Sequence, residues 1–124
     1  MILLDTNIFI DHLRGYTPAV RFFESIFTQK EVIFSAITEA ELIAGKSCNN
    51  REKKDLLLQF LYQWKKIPVS NQIAVLAGDL SREKEMNIAD AIVAATAVIN
   101  KAALLTKNVK DFMGIEGLSI KSPY

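Results

Sequence analysis

The stretch ILLDTNIFI, residues 2–10, shows the pattern from which the fold can be deduced. Its first three residues, Ile2–Leu4, are all apolar, which is typical of a short strand buried on both faces of a sheet. The polar run that starts at Asp5 leads into a second apolar stretch, and Gly15 closes the helix that this stretch predicts. A short buried strand followed at once by a helix is typical of a parallel sheet.

The same pattern recurs farther along the chain. Four more short apolar runs are predicted to be strands, namely Val32–Phe34, Ile67–Val69, Ala103–Leu105 and Leu118–Ile120. Helix-like segments alternate with these runs, and no two-residue hairpin signal stands between them. The expected class is therefore α/β, with a central parallel sheet of about five short strands that is covered by helices on both faces.

Local signals also predict where several helices begin. The pattern Thr38-x-x-Glu41 matches a capping box at the start of the helix that follows the second strand. A charged and then strongly apolar helix is expected over Asn50–Trp64. The alanine-rich segment Ala91–Ile99 predicts a further helix, which begins directly after Asp90.

The composition limits the kind of protein that this chain can be. It has 124 residues, with 15 Lys and Arg against 14 Asp and Glu, which suits one domain over residues 1–124. A single cysteine, Cys48, excludes an internal disulfide and a multi-cysteine zinc site. Asp5 and Asp11 interrupt the apolar core that a secretory signal needs, and no apolar run approaches the ~18 residues of a membrane span. We therefore expect a cytoplasmic protein with no membrane partner.

Acidic residues follow the predicted strands, at the edge of a parallel sheet where ligands bind. Four of them come from distant parts of the chain, namely Asp5, Glu41, Asp90 and Asp111. Carboxylates within ~4–6 Å of one another raise each other's pKa and repel, and a bound cation relieves that repulsion. An all-oxygen ligand set suits Mg²⁺ or Mn²⁺, whereas zinc prefers His and Cys ligands. The pattern therefore predicts a site for one or two divalent ions that hydrolyses phosphodiester bonds.

Each acid taken alone also has a structural explanation. Asp5 and Asp90 can cap the helices that follow them. Glu41 fits its capping box, and Asp111 can lie on a solvated turn. The functional interpretation depends on all four acids lying at the same edge of the sheet.

Basic residues are distributed so that a polyanion can be held near the acidic centre. Without the four acids the chain carries 15 basic against 10 acidic residues, although its net charge is only +1. Lys107 and Lys110 flank Asn108 beside the proposed site, and we expect this lysine pair to contact phosphate. The single histidine, His12, has no partner histidine or cysteine, so no catalytic role is predicted for it.

Four segments of the chain together resemble one known family. They are LLDTNIFID (3–11), SAITEAELIAG (35–45), NIADAIVAATA (87–97) and LLTKNVKDF (104–112). In this order and spacing they look like a PIN domain, specifically the small VapC-type toxin of toxin–antitoxin pairs. The resemblance implies a three-layer α/β/α architecture and Mg²⁺- or Mn²⁺-dependent endoribonuclease activity.

The resemblance also implies roles for individual residues. The three principal metal-binding acids of the family correspond to Asp5, Glu41 and Asp90. The polar residues that usually support the site correspond to Thr6, Asn7 and Thr106. Family members place a fourth acid where either Asn108 or Asp111 stands, and only Asp111 is acidic here.

Together these observations predict a metal-dependent endoribonuclease that acts as a toxin, with Asn108 and the two lysines beside it supporting the substrate. The resemblance implies transfer or ribosomal RNA as the substrate, a cognate antitoxin protein and a homodimer. The segment Leu56–Trp64 is apolar around more of its circumference than one buried stripe requires, which indicates either a partner surface or deep burial within the monomer.

Two other functions agree less well with the sequence. A PIN-fold RNA-binding or scaffold domain without catalysis would lack some of the acids, and all four are present. An aspartyl phosphotransfer domain would use Asp5 as its nucleophile, but it would need a second acid close by in the sequence and a lysine at a strand end. The segment Asp5-Thr6-Asn7 offers neither arrangement.

Overall fold

Five parallel strands form the centre of the molecule. The structure is a computed structural model and describes residues 1–28 and 31–124. The strands are β1 (Ile2–Leu4), β2 (Val32–Ser35), β3 (Lys65–Ile67), β4 (Ala103–Leu105) and β5 (Ile120–Lys121). Their order in the sheet is β3-β2-β1-β4-β5, and every neighbouring pair is parallel. The predicted α/β class is therefore confirmed.

In the described part of the chain, six helices connect or flank the strands. They are α1 (Thr6–Leu13), α2 (Thr17–Ile26), α3 (Ala36–Ile43), α4 (Arg51–Leu61), α5 (Asn71–Lys84) and α6 (Ile88–Asn100). Two 3₁₀ turns are also formed, at Lys46–Asn49 and Val109–Phe112. Across the part of the chain that the structure describes, no helix is long and apolar enough to cross a membrane.

The alternation of side chains along each strand builds two cores, one on each face of the sheet. Leu3 of β1 and Leu104 of β4 are fully buried on the face covered by α5 and α6. Leu4 and Phe34 point to the opposite face, where they pack against α1, α2 and α4. The sheet therefore lies between two helical layers, in the three-layer architecture that the resemblance implied.

The chain reverses direction across the sheet between β1 and β4. From β1 it proceeds outward to β2 and β3, and it then returns to place β4 on the other side of β1. Ligands of parallel sheets bind beyond the carboxyl ends of the strands at such a switch point. Here the register pairs Leu4 with Leu105, so the residues that follow them, Asp5 and Thr106, stand side by side.

Two predicted strands were placed with an error of two residues. The third covers Lys65–Ile67 instead of Ile67–Val69, because Pro68 has no N–H with which to continue the ladder. The fifth covers Ile120–Lys121 instead of starting at Leu118, whose N–H is bonded to the Ile115 carbonyl in a turn.

The predicted capping box was wrong. Helix α3 begins at Ala36, and the Oγ of Ser35 accepts the N–H of Ile37 at 3.1 Å as its N-cap. Thr38 therefore lies inside the helix, and Glu41 does not take part in capping it. The helix-capping explanation of Asp90 is wrong as well, because α6 begins at Ile88 with Asn87 as its cap.

Candidate active site at the carboxyl edge of the sheet

Asp5 and Thr106 meet at the switch point between β1 and β4. The Thr106 hydroxyl donates to Oδ2 of Asp5 at 2.8 Å, and Oδ1 of Asp5 accepts the N–H of Thr6 as the N-cap of α1. Thr106 is 0% exposed and Asp5 is 5% exposed. Burial raises the pKa of Asp5 against the lowering effect of these two hydrogen bonds, and the charges of Glu41 and Asp111 raise it further. Asp5 is thus both the cap of α1 and a fixed carboxylate at the site.

Glu41 is oriented toward the same edge by the first helix. The Thr6 hydroxyl donates to Oε1 of Glu41 at 2.7 Å and lies 2.9 Å from the hydroxyl of Thr38. Thr6 and Thr38 are buried, so this contact joins α1 to α3 inside the protein. The bond orients Glu41 and leaves its other oxygen without a side-chain hydrogen bond among the described residues.

Asp90 lies in the first turn of α6, where its backbone N–H donates to Asn87 Oδ1 at 2.9 Å. The pKa of Asp90 is raised to about 6, first by burial and then by the charges of Asp5, Asp111 and Glu41. Those three charges reach Asp90 although they come from separate parts of the chain. Asp5, Asp111 and Glu41 therefore lie near enough to Asp90 for their charges to act on it.

The loop after β4 contains three residues that were predicted to support the substrate, and each has different surroundings. They are Lys107, Asn108 and Lys110. Asn108 donates its backbone N–H to Thr106 Oγ1 at 3.0 Å, which ties the loop after β4 to the site. Lys107 forms an ion pair with Asp11 at 2.8 Å and lies over the ring of Tyr16. Lys110 lines a cleft beside the acids, so only Lys110 of the predicted pair stands free to meet phosphate without breaking an ion pair seen among the described residues.

The donor chemistry at this edge fits a divalent cation. The acids offer only oxygen, and Asn7 adds a buried Oδ1 that accepts no hydrogen bond from the described residues. Its amide nitrogen points to Thr106 Oγ1 at 3.5 Å, so the side chain faces the site. As the side chains stand, no three His, Cys, Asp or Glu groups within residues 1–28 and 31–124 are close enough together to hold an ion.

Sequence reasoning missed one polar network near the site. Asp11 accepts hydrogen bonds from Lys107 and from the Tyr124 hydroxyl, the latter at 2.8 Å. Burial raises the pKa of Asp11, but these hydrogen bonds and the Lys107 charge outweigh that effect and lower it. The residues are separated by up to 113 positions in the chain, and no local pattern connects them.

The single histidine has the apolar surroundings of a core residue. The His12 ring stacks on Phe60 with centroids 4.7 Å apart and an interplanar angle of 8°, and it also packs against Phe23. Burial lowers the pKa of His12. His12 thus packs into the aromatic cluster beneath α4.

Comparison with known proteins adds to this geometry. The profile of the PIN domain family matches residues 2–113. Ribonuclease VapC10 of Mycobacterium tuberculosis is 34% identical over 130 aligned positions, which cover 100% of this chain and 93% of that protein. Ribonuclease VapC19 of the same species is 35% identical over 90% of this chain and 92% of its own length.

Solved structures agree with this result. A toxin-antitoxin complex from Klebsiella pneumoniae superposes with a TM-score of 0.84 at 31% identity, covering 100% of this chain and 98% of that one. VapBC2 from Rickettsia felis, bound to a DNA fragment from its promoter, gives a TM-score of 0.82 at 27% identity over 98% of both chains. Because the family profile spans nearly the whole sequence and the relatives align along its length, the chain belongs to the PIN domain family, on its VapC branch.

Proposed function

We propose that this protein is a Mg²⁺- or Mn²⁺-dependent endoribonuclease that serves as the toxin of a toxin–antitoxin pair. The observation that carries the proposal is the placing of acids at the carboxyl edge of the sheet, where Thr106 and Thr6 hold Asp5 and Glu41 by hydrogen bonds and the charges of Asp5, Glu41 and Asp111 act on Asp90. Two relatives named as ribonucleases support RNA as the substrate. The residues proposed to hold one or two ions are Asp5, Glu41, Asp90 and Asp111.

The hydrogen bonds of the site determine what each of these residues contributes. Thr106 and the N–H of Thr6 fix both oxygens of Asp5, and the Thr6 hydroxyl fixes one oxygen of Glu41. Preorganised acids need less rearrangement when a ligand arrives. Burial and the charges of Asp5, Asp111 and Glu41 raise the pKa of Asp90, and a cation held by these acids would offset their repulsion. When bound, a divalent cation lowers the pKa of the attacking water and offsets the negative charge that builds up on the phosphate.

An RNA-cleavage assay tests the proposal. Purified protein is incubated with transfer and ribosomal RNA in Mg²⁺, in Mn²⁺ and in excess EDTA. We expect cleavage only with a divalent cation, and none by the Asp90→Asn variant. Asp55→Asn, which removes an exposed carboxylate from α4, is the matched control and should cleave like the parent. Absence of cleavage by the parent on every RNA would favour the binding or scaffold alternative.

An antitoxin is the proposed protein partner. Leu13, Leu56 and Phe60 line an apolar groove between α1 and α4 of about 420 Å³, and Leu13 and Leu56 are 50% and 58% exposed. Leu57 and Leu61 of the same helix are buried, so burial in the monomer accounts for part of its apolar surface. An amphipathic antitoxin helix fits such a groove, and the solved toxin–antitoxin neighbours support it.

A charge placed in the groove tests the antitoxin surface, and sedimentation tests the proposed homodimer. Leu56→Asp should abolish co-purification with the product of the adjacent gene while RNA cleavage persists. The control is Val75 on α5, which is 67% exposed and lies away from that groove. The Val75→Asp protein should still co-purify with the antitoxin. Sedimentation velocity at micromolar concentration should show a dimer for the parent. A strictly monomeric parent would contradict the dimer, and an unimpaired Leu56→Asp complex would contradict the proposed groove.

A further inference from the structure

We propose that the cleft between Lys84 and Lys110 is the subsite that holds the RNA backbone next to the bond being cleaved. This cleft, called here the Lys84–Lys110 cleft, has a volume of about 400 Å³. It also contains two of the proposed metal-binding acids, Asp90 and Asp111. The inference rests on the proposed ribonuclease function and specifies where the substrate lies.

Position and size favour a nucleotide as the occupant. The cleft opens directly onto Asp90 and Asp111, so a strand lying in it passes within reach of the acids. Its volume falls within the range of ~300–1,000 Å³ that is usual for small-molecule sites. The cleft is therefore large enough for one nucleotide of a strand that continues past the acids.

Charge favours a phosphate backbone. The side chains of Lys84 and Lys110 are exposed, and neither forms an ion pair with any of the residues that the structure describes. Lys107, in contrast, is neutralised by Asp11 at 2.8 Å. The cleft also carries Glu85, Asp90 and Asp111, and a cation held by the two aspartates would leave Lys84 and Lys110 opposed by Glu85 alone. The two ammonium groups can then bind the phosphates that flank the reacting one.

One wall of the cleft is fixed before any ligand arrives. The connection between α5 and α6 passes through Glu85 in the left-handed conformation, with φ 54°. Ser81 Oγ donates to the Met86 carbonyl at 2.8 Å, and Asn87 Oδ1 accepts the N–H of Asp90. The wall that carries Lys84 is thus held at both ends, which lowers the entropy lost when RNA is bound.

Salt dependence of RNA binding tests this assignment. The probe is a fluorescein-labelled single-stranded RNA of ten nucleotides, and binding is followed by fluorescence anisotropy between 50 and 300 mM KCl. Every protein carries Asp5→Asn, which prevents cleavage and leaves the cleft residues intact. Each phosphate contact contributes about 0.7 to the slope of log K against log salt for a single strand. Lys84→Gln and Lys110→Gln should each reduce the slope by about 0.7, and the double variant by about 1.4.

Two further variants serve as controls. Lys101 is exposed and lies two residues before β4, at the opposite edge of the sheet, so Lys101→Gln should leave the slope unchanged. Glu85 also lines the cleft, and Glu85→Gln should tighten RNA binding because it removes a repelling carboxylate. Melting temperatures equal to that of the Asp5→Asn protein would show that each variant is folded.

The outcomes separate this inference from the function on which it rests. If the parent cleaves RNA but Lys84→Gln and Lys110→Gln bind it with the slope of the Lys101→Gln control, the cleft assignment is wrong and the function stands. If the lysine variants weaken only the complex with the antitoxin, the cleft serves a protein partner and the assignment is again wrong. If the parent neither binds nor cleaves any RNA, the proposed function itself fails.

Discussion

At the scale of single residues, Asp90 responds most clearly to its surroundings. Without a cation its pKa is about 6, against an ordinary value of 3.8. Between these two values the folded protein holds a proton that the unfolded chain has released, so the free energy of unfolding must fall as pH rises. Burial and the charges of the other three acids therefore make the contribution of Asp90 to the stability of the metal-free protein less favourable at neutral pH than at pH 4.

This effect can be measured by urea unfolding of the parent and of Asp90→Asn in EDTA from pH 4 to pH 7. The variant should be as stable as the parent near pH 4 and more stable above pH 6, because it lacks the ionised carboxylate. A gap that is constant over the whole range would show that Asp90 does not titrate in the folded protein as described.

The positions of the candidate acids near the edge of the sheet could be predicted from the sequence, whereas only some of the contacts that hold them could be. Asp5 follows a buried strand, and that position alone places it at the ligand-binding edge of a parallel sheet. The bond from Thr6 to Glu41 spans 35 residues, and the strand order that makes it possible is not encoded in any short pattern. The pairing of Lys107 with Asp11 was missed for the same reason.

At the scale of elements, the residue that caps α3 bears on two interpretations of Glu41, namely helix capping and metal binding. Ser35 caps this helix, and Glu41 instead accepts the Thr6 hydroxyl. Ser35→Ala should therefore lower the free energy of unfolding by about 1 kcal/mol. Glu41→Gln keeps an oxygen for Thr6 and removes one of the repelling charges, so it should be at least as stable as the parent while losing RNA cleavage.

Denaturant unfolding in EDTA provides the comparison, with cleavage as the second measurement. If Glu41→Gln destabilised the protein as much as Ser35→Ala does, Glu41 would have to be a capping residue of α3 after all.

The error in the predicted cap has a simple cause. Ser35, Thr38 and Glu41 all offer suitable oxygens, and only the end of β2 decides which of them lies at the helix start.

Strand boundaries show the same limit of prediction. Ala103–Leu105 was placed correctly because Lys101 stands two residues before it and Thr106 follows it directly. The third strand was misplaced because Lys65 and Lys66 look unlike a strand, yet charged residues are ordinary on an edge strand such as β3. The position of a strand within its sheet was the missing information.

At the scale of the whole molecule, the last residue joins distant parts of the fold. The Tyr124 ring packs near Tyr16 and Phe22, and its hydroxyl donates to Asp11, which also holds Lys107. The network thereby links α1, α2 and the loop after β4. Tyr124→Phe removes one hydrogen bond to a carboxylate and should destabilise the protein by about 1–2 kcal/mol.

The control is Tyr62→Phe, since Tyr62 is 57% exposed and its hydroxyl bonds to no carboxylate among residues 1–28 and 31–124. Thermal unfolding of both variants at pH 7 should show a lower Tm for Tyr124→Phe only. The difference should shrink in acid as Asp11 becomes protonated, because its lowered pKa makes this contribution one that is lost as pH falls. Equal Tm values for the two variants at pH 7 would contradict the proposed link.

The most direct test of the central claim is the Tm of the protein with and without Mn²⁺. A cation that binds only the folded state stabilises it by about 2.7 kcal/mol at a concentration ~100 times its Kd. We expect millimolar Mn²⁺ to raise the Tm of the parent clearly. Asp90→Asn should begin from a higher metal-free Tm and gain much less. If Mn²⁺ leaves the Tm of the parent unchanged, or raises that of Asp90→Asn by the same amount, the four carboxylates do not form a metal site.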